Sequence, residues 1–167
     1  MSRLMRLFYY GVLGAIGGVL GWQASNLLGL SFTGNLYLNE VLVGALIGLF
    51  IGLLIGLAEG LLTRNLVGAA KAGLFGAGMG ILGGAIGLPL AEGLFQLLGG
   101  YVWSRALGWG IFGAMIGLAI GYTSGSQMWK GALGGFLGGL LGGVLLESSR
   151  SWLNNPLMGK AAGLLLL

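Results

Sequence analysis

The chain has 167 residues, of which 56% are hydrophobic, 38 are glycine and only 7% are charged, with a net charge of +4. A soluble domain carries roughly 25% charged residues, and eight Lys/Arg with four acidic groups cannot cover a 17 kDa globule, so water is excluded as the solvent for most of this surface. The lack of Cys, His and Asp removes structural zinc, disulfides, thiol chemistry and histidine switching; two prolines and the wrong glycine period remove collagen, and the apolar partners of the glycines remove a flexible linker.

A helix crossing the hydrocarbon needs roughly 20 mostly apolar residues, and five stretches meet that requirement. The first runs over residues 7–28 and, being longer than a signal-peptide core and followed by further spans, reads as a retained helix. It is followed by Ser31-Phe-Thr-Gly-Asn-Leu-Tyr-Leu-Asn-Glu40, a polar, turn-forming segment. The second covers residues 41–62 and closes on Thr63-Arg64-Asn65. The third covers 67–88; Pro89 removes a backbone donor and is expected to kink or end it, with Leu90–Leu98 as a bent end near the interface. The fourth covers 106–123 and the fifth 129–146, before Glu147-Ser-Ser-Arg150. After Ser151–Pro156, residues 157–167 read as an interfacial helix or the start of a sixth span; the missing polar cap after Leu167 favours the second. The alternation of an outer-membrane strand is absent, and backbone groups in lipid must bond internally. The expected fold is therefore all-α: a single transmembrane domain over 1–167, a polytopic helix bundle of about five spans.

Two internal correspondences point to a repeated helix hairpin. Gly52-Leu-Leu-Ile-Gly56-Leu-Ala-Glu-Gly60 aligns with Gly117-Leu-Ala-Ile-Gly121-Tyr-Thr-Ser-Gly125, and Lys71–Gly84 aligns with Lys130–Gly143. Orientation follows the Lys/Arg distribution. With the N-terminus cytoplasmic, Arg3, Arg6, Arg64, Lys71 and Lys130 lie inside, and Arg105, Arg150 and Lys160 outside. Glu40, Glu92 and Glu147 then also fall outside.

Glycine recurs at every fourth position. The stripes are Gly44, Gly48, Gly52, Gly56 and Gly60 in the second span, Gly76, Gly80 and Gly84 in the third, and Gly113, Gly117, Gly121 and Gly125 in the fourth. The fifth has Gly131, Gly135, Gly139 and Gly143, with a second stripe at Gly134, Gly138 and Gly142. Residues four apart share a helix face, so each stripe is a shallow groove. Lipid offers no hydrophobic reward for helix association, and small residues allow van der Waals contact between backbones instead. Glycine-zipper packing is the expectation, and the doubly striped fifth span is expected at the bundle centre.

Ionisable groups inside a span are functional candidates by default. Glu59, beside Gly60 with Arg64 following, suits proton or cation handling, or a plain interfacial pair with Arg64 or Lys71. Glu92, beyond Pro89 at the opposite boundary, is read in the same way. The midplane residues are Gly, Leu, Ile, Ala and Phe, which argues against a selective ion channel. Tyr9, Tyr10, Tyr37, Tyr101, Trp103, Tyr122, Trp129 and Trp152 lie near span ends, as an interfacial aromatic belt should. Gly76-Ala-Gly78-Met-Gly80 lacks the strand before it and the Lys-Ser/Thr after it that a phosphate loop needs. No His is present to activate a hydroxyl, and the few hydroxyls lie mainly in loops, so no enzyme chemistry, cofactor or metal is expected. Scattered basic residues form no patch for nucleic acid.

The run Arg105-Ala-Leu-Gly-Trp-Gly-Ile-Phe-Gly113, continued by Gly117, Gly121 and the glycine-rich Lys130–Gly143, resembles a glycine-rich module of poorly characterised bacterial multi-pass membrane proteins. Some of these also carry a forkhead-associated domain. The resemblance implies a membrane platform and transfers no catalytic residue. The expected function is an integral scaffold or anchor in a bacterial inner membrane, with the bilayer, and a homo-oligomer or membrane partner, as its associates. The alternative is a transport or permeation protein with Glu59 as its polar element.

Overall fold

The structure is a computed structural model that describes residues 3–30, 35–62, 65–121 and 128–153. These residues form α1 (Arg3–Leu27), α2 (Leu36–Leu62), α3 (Leu66–Leu97), α4 (Val102–Gly121) and α5 (Met128–Leu153), with no strand among them. Four of the helices contain stretches long and apolar enough to cross a membrane: Leu36–Ala58, Leu66–Leu97, Trp103–Gly121 and Met128–Leu145. The first helix is not among those four. The 157–167 segment lies outside the described residues.

Several helices overrun the boundaries expected of them, and local capping explains where they start and stop. The polar segment before the second span is not all loop. α2 begins at Leu36 and takes Tyr37, Asn39 and Glu40 into its first turns. Asn35 supplies the reason, since its Oδ1 accepts from the Leu38 amide at 3.3 Å, filling one of the donors a helix start leaves open. Asn65 does the same for α3, accepting from the Gly68 amide at 2.9 Å. α3 does not end at Pro89 but continues to Leu97, because proline removes only its own donor and the neighbouring turns stay bonded. It stops at Gly99 and Gly100, whose φ values are +79° and +73°. The Gly100 amide donates to Phe95 and the Gly99 amide to Gln96, the paired bonds of a Schellman cap. α4 starts at Val102, earlier than expected, and α5 runs past Glu147-Ser-Ser-Arg150 to Leu153.

Every helix packs on its chain neighbour in antiparallel fashion. Gly17 and Gly21 of α1 approach Ile51 and Ile47 of α2 in turn. Gly44, Gly48 and Gly52 of α2 face Gly84, Gly80 and Gly76 of α3, and Gly83 and Gly87 of α3 face Ile116 and Phe112 of α4. Gly113 and Gly117 of α4 face Gly135 and Gly131 of α5. The helices therefore form an up-and-down row, α1-α2-α3-α4-α5, with a lesser contact between α2 and α4. Ile47, Ala91, Phe112 and Ile116 form the buried core where α2, α3 and α4 meet, and the Trp109 ring meets Phe112 edge-on at 5.8 Å.

The expected place of the fifth span is corrected by this row. Among the described residues α5 touches α4 only, and its Gly134, Gly138 and Gly142 have nothing within 4 Å of where a Cβ would be. Leu133, Leu137, Leu141 and Leu145 are each more than half exposed. The helix that uses two small faces is α3, through Gly76, Gly80 and Gly84 toward α2 and Gly83, Gly87 and Ala91 toward α4. Glycine spacing marks a face on which contact is possible; it does not say that a neighbour is there.

Candidate functional site

At the stripes, the missing Cβ is what lets the helices meet. A Cβ on Gly48 would collide with the Gly80 carbonyl oxygen, and one on Gly80 with the carbonyl oxygen of Gly48. The pairs Gly44 with Gly84, Gly52 with Gly76, Gly113 with Gly135 and Gly117 with Gly131 are reciprocal in the same way. A Cβ on Gly56 would collide with the Ala72 carbonyl and one on Gly139 with that of Trp109, while one on Gly143 would come 3.0 Å from the Ala106 Cα. Gly121 is looser, since a Cβ there would stand 3.1 Å from the Met128 carbonyl oxygen. In the tight pairs a Cα–H bond points at a facing carbonyl, the arrangement of weak Cα–H···O contacts between helices. The surroundings of Gly60 and Gly125 lie outside the described residues.

The aligned halves do not meet in equal register. Gly52 faces Gly76, yet their aligned counterparts Gly117 and Gly135 face Gly131 and Gly113 instead. Under that alignment the facing pairs of the two hairpins differ by about one helical turn.

Polar side chains gather at one end of the row. Asn39 and Glu40 from the start of α2, Glu92 and Phe95 from the end of α3, and Arg105 and Trp109 from the start of α4 line a half-open cleft of about 260 Å³. Its apolar wall is Val43, Leu88 and Ala91, which join the buried core beneath. Glu92 accepts from Gln96 Nε2 at 3.2 Å, and the Arg105 guanidinium lies 4.5 Å from the centroid of the Phe95 ring. Glu40 is in electrostatic reach of both Glu92 and Arg105. The Asn39 Oδ1 is buried and accepts no hydrogen bond. Buried amide oxygens in native proteins are nearly always bonded, so this one stands out.

Helix length sets the depth of the cleft. Glu92 and Lys71 are both on α3, and at 1.5 Å per residue they stand about 32 Å apart. Glu40 and Glu59 on α2 are about 28 Å apart by the same rise. A bilayer core is about 30 Å thick, so along α3 the cleft end and Lys71 are separated by about one such thickness. Tyr101 and Trp103 are exposed at this same end.

Of the side chains singled out from sequence, Glu92 is in the cleft. Glu59 is within α2, but its side chain, and all of Arg64, lie outside the described residues. Asn39, Glu40, Phe95, Arg105 and Trp109 were not candidates. A signal existed: the alternating topology puts Glu40, Glu92 and Arg105 on one side of the membrane. Elsewhere, buried hydroxyls return to their own helix. Ser25, with no exposed surface, donates to the Trp22 carbonyl at 2.6 Å, and Ser104 donates to that of Tyr101; hydroxyls in low dielectric are satisfied in this way.

The arrangement defines a multi-pass helical protein of membrane type. Beyond that class, no protein-family model matches the chain, no curated protein matches its sequence and no solved structure matches its fold.

Proposed function

We propose that this chain is an integral membrane scaffold or anchor, built as two glycine-zipper hairpins behind a first span, with no catalytic chemistry of its own. Its place is a bacterial inner membrane with the N-terminus cytoplasmic, five Lys/Arg residues lying on that side under the expected topology. The hairpins descend from one duplicated unit, and the chain is similar in kind to glycine-rich multi-pass modules.

The observation that carries this reading is the reciprocal backbone contact at the glycine stripes. Such contact makes a stiff platform and leaves little room for a path between α2 and α3 or between α4 and α5. Transport would need polar groups across the midplane, whereas the cleft is backed by the Ile47, Phe112 and Ile116 core. Purified protein in sealed vesicles tests the choice. A scaffold leaves ion and small-solute flux at the level of empty vesicles, and Glu59→Gln changes nothing. Flux that Glu59→Gln or Glu92→Gln abolishes would replace the scaffold with a transporter. Leakage of large dyes from the same vesicles would indicate a permeabilising protein instead.

A further inference from the structure

We propose that α2 is a register device: carrying α1 with it, the helix steps along α3 by one turn between two packed positions, of which the register described above is one. The proposal rests on the helix contacts and holds whether the chain is a scaffold or a transporter.

The sequence of α2 repeats every four residues. Val43-Gly44, Ile47-Gly48, Ile51-Gly52 and Ile55-Gly56 are successive pairs of a β-branched residue and a glycine, and a fifth glycine follows at Gly60. Residues four apart lie nearly on one face. A displacement of four residues, about 6 Å along the axis, therefore replaces each contact with one of the same kind. Gly48, Gly52, Gly56 and Gly60 come to stand where Gly44, Gly48, Gly52 and Gly56 now face the carbonyls of Gly84, Gly80, Gly76 and Ala72. Ile51 takes the place of Ile47 in the core with Ala91, Phe112 and Ile116, and Ile47 takes that of Val43 beside it. At Gly73 of α3, where Leu53 and Leu57 now pack, Leu57 and Leu61 arrive instead. The contacts broken and remade along the stripe are weak Cα–H···O contacts. One-turn ratchets of packed helices are an established mode of switching.

The same sequence limits the movement to one turn in one direction. A step the other way brings Glu40 to the place of Gly44, where a Cβ collides with the Gly84 carbonyl. A second forward step brings Arg64 to the place of Gly56, where a Cβ collides with the Ala72 carbonyl. Among the described residues α1 packs on α2 alone, and α2 has only a lesser contact with α4, so α1 and α2 move as one body. The connection to α3 must then lengthen by about 6 Å, which is what one helical turn gains on becoming extended chain. The first turn of α3 suits that change. Leu66 and Val67 are mostly exposed, and Gly68 is a poor helix former. The register described also leaves the buried Asn39 Oδ1 without a donor, a cost that moving Asn39 one turn outward relieves.

Spin-label distances on the full-length chain in vesicles, diluted with unlabelled chain, test the step. The chain has no Cys, so only introduced sites react, and Phe8, Leu38, Leu74 and Leu90 are exposed. One sample carries Leu38→Cys with Leu74→Cys, the other Phe8→Cys with Leu90→Cys. Each pair should give two distances in populations within about tenfold of each other. The second distance should be longer for Leu38 with Leu74 and shorter for Phe8 with Leu90, each by about 6 Å along the axis. Fraying of one helix end cannot change the two pairs in opposite senses. A single distance at either pair, or changes of the same sign at both, overturns the proposal. Gly60→Ala puts a Cβ on the residue that must reach the Ala72 carbonyl. It should remove the second distance at both pairs and keep the first, with far-ultraviolet circular dichroism unchanged. A second distance that survives in this helical variant also overturns the proposal, and the two wild-type-background pairs decide alone if the variant does not fold.

Discussion

At the residue scale the glycines divide by what a side chain would meet. Gly48 and Gly52 face a carbonyl oxygen of the next helix; at Gly138 an added Cβ would meet none of the described residues within 4 Å. Forcing extra carbons into a filled contact costs typically 1–3 kcal/mol, whereas alanine for an open helical glycine gains up to about 1 kcal/mol. Gly52→Leu and Gly139→Leu should therefore lower the denaturing detergent fraction needed to unfold the protein. Leu54→Ile, which leaves the α2 stripe intact, and Gly138→Ala should not. Equal tolerance of all four, followed by circular dichroism, would contradict the close-contact account. The caps give a second prediction. Asn65→Ala should destabilise by about 1 kcal/mol and Asn65→Asp by much less, because aspartate keeps the acceptor for the Gly68 amide. Gly100→Ala, at φ +73°, should destabilise by roughly 1–2 kcal/mol. The spacing of four was legible in the sequence, and so was the polarity of Glu92. The gathering of Glu92 with Asn39, Glu40 and Arg105 was not, because it needs three helix ends to meet.

At the element scale the lesson is how little a single breaker decides inside a long apolar helix. Pro89 lies inside the 32-residue α3. Its ring takes one donor away from the Ala85 carbonyl, and the helix resumes. The same residues that looked like connections, Tyr37 to Glu40 and Val102 to Arg105, are first turns of α2 and α4. Asparagine caps and turn residues mark those starts more closely than hydropathy does. Pro89→Ala should leave the helical content unchanged and slow amide exchange in the turn around Ala85. A large gain in helix content would show that α3 breaks at that point. α3 is about 48 Å long at 1.5 Å per residue, well beyond the bilayer core. Either tilt or protrusion accommodates the excess, and protrusion carries the Glu92 turn toward the headgroups.

At the scale of the whole molecule the row of helices has two edges. Among the described residues α1 rests only on α2 and α5 only on α4, while α3 is gripped from both sides. Cysteines placed along α5 should cross-link readily with cysteines along α4 and not with those on α1 or α2. Efficient linkage between α5 and α1 would mean that the row closes into a ring. Among the described residues, the exposed leucines of α5 and the open glycines between them follow from that edge position.

Solvent, helical class and the four-residue spacing of small positions were determined by the sequence alone, because they depend on composition and on the 3.6-residue turn. Neighbour relations were decided only in three dimensions. Two stripes on α5 and two on α3 look alike in one dimension, yet one pair is half bare and the other fully used. What distinguishes them is whether a partner's backbone arrives, and that depends on connection lengths and on how the antiparallel row is built. The cleft arose in the same way, from side chains on three helices, between Asn39 and Trp109, that only helix packing brings together.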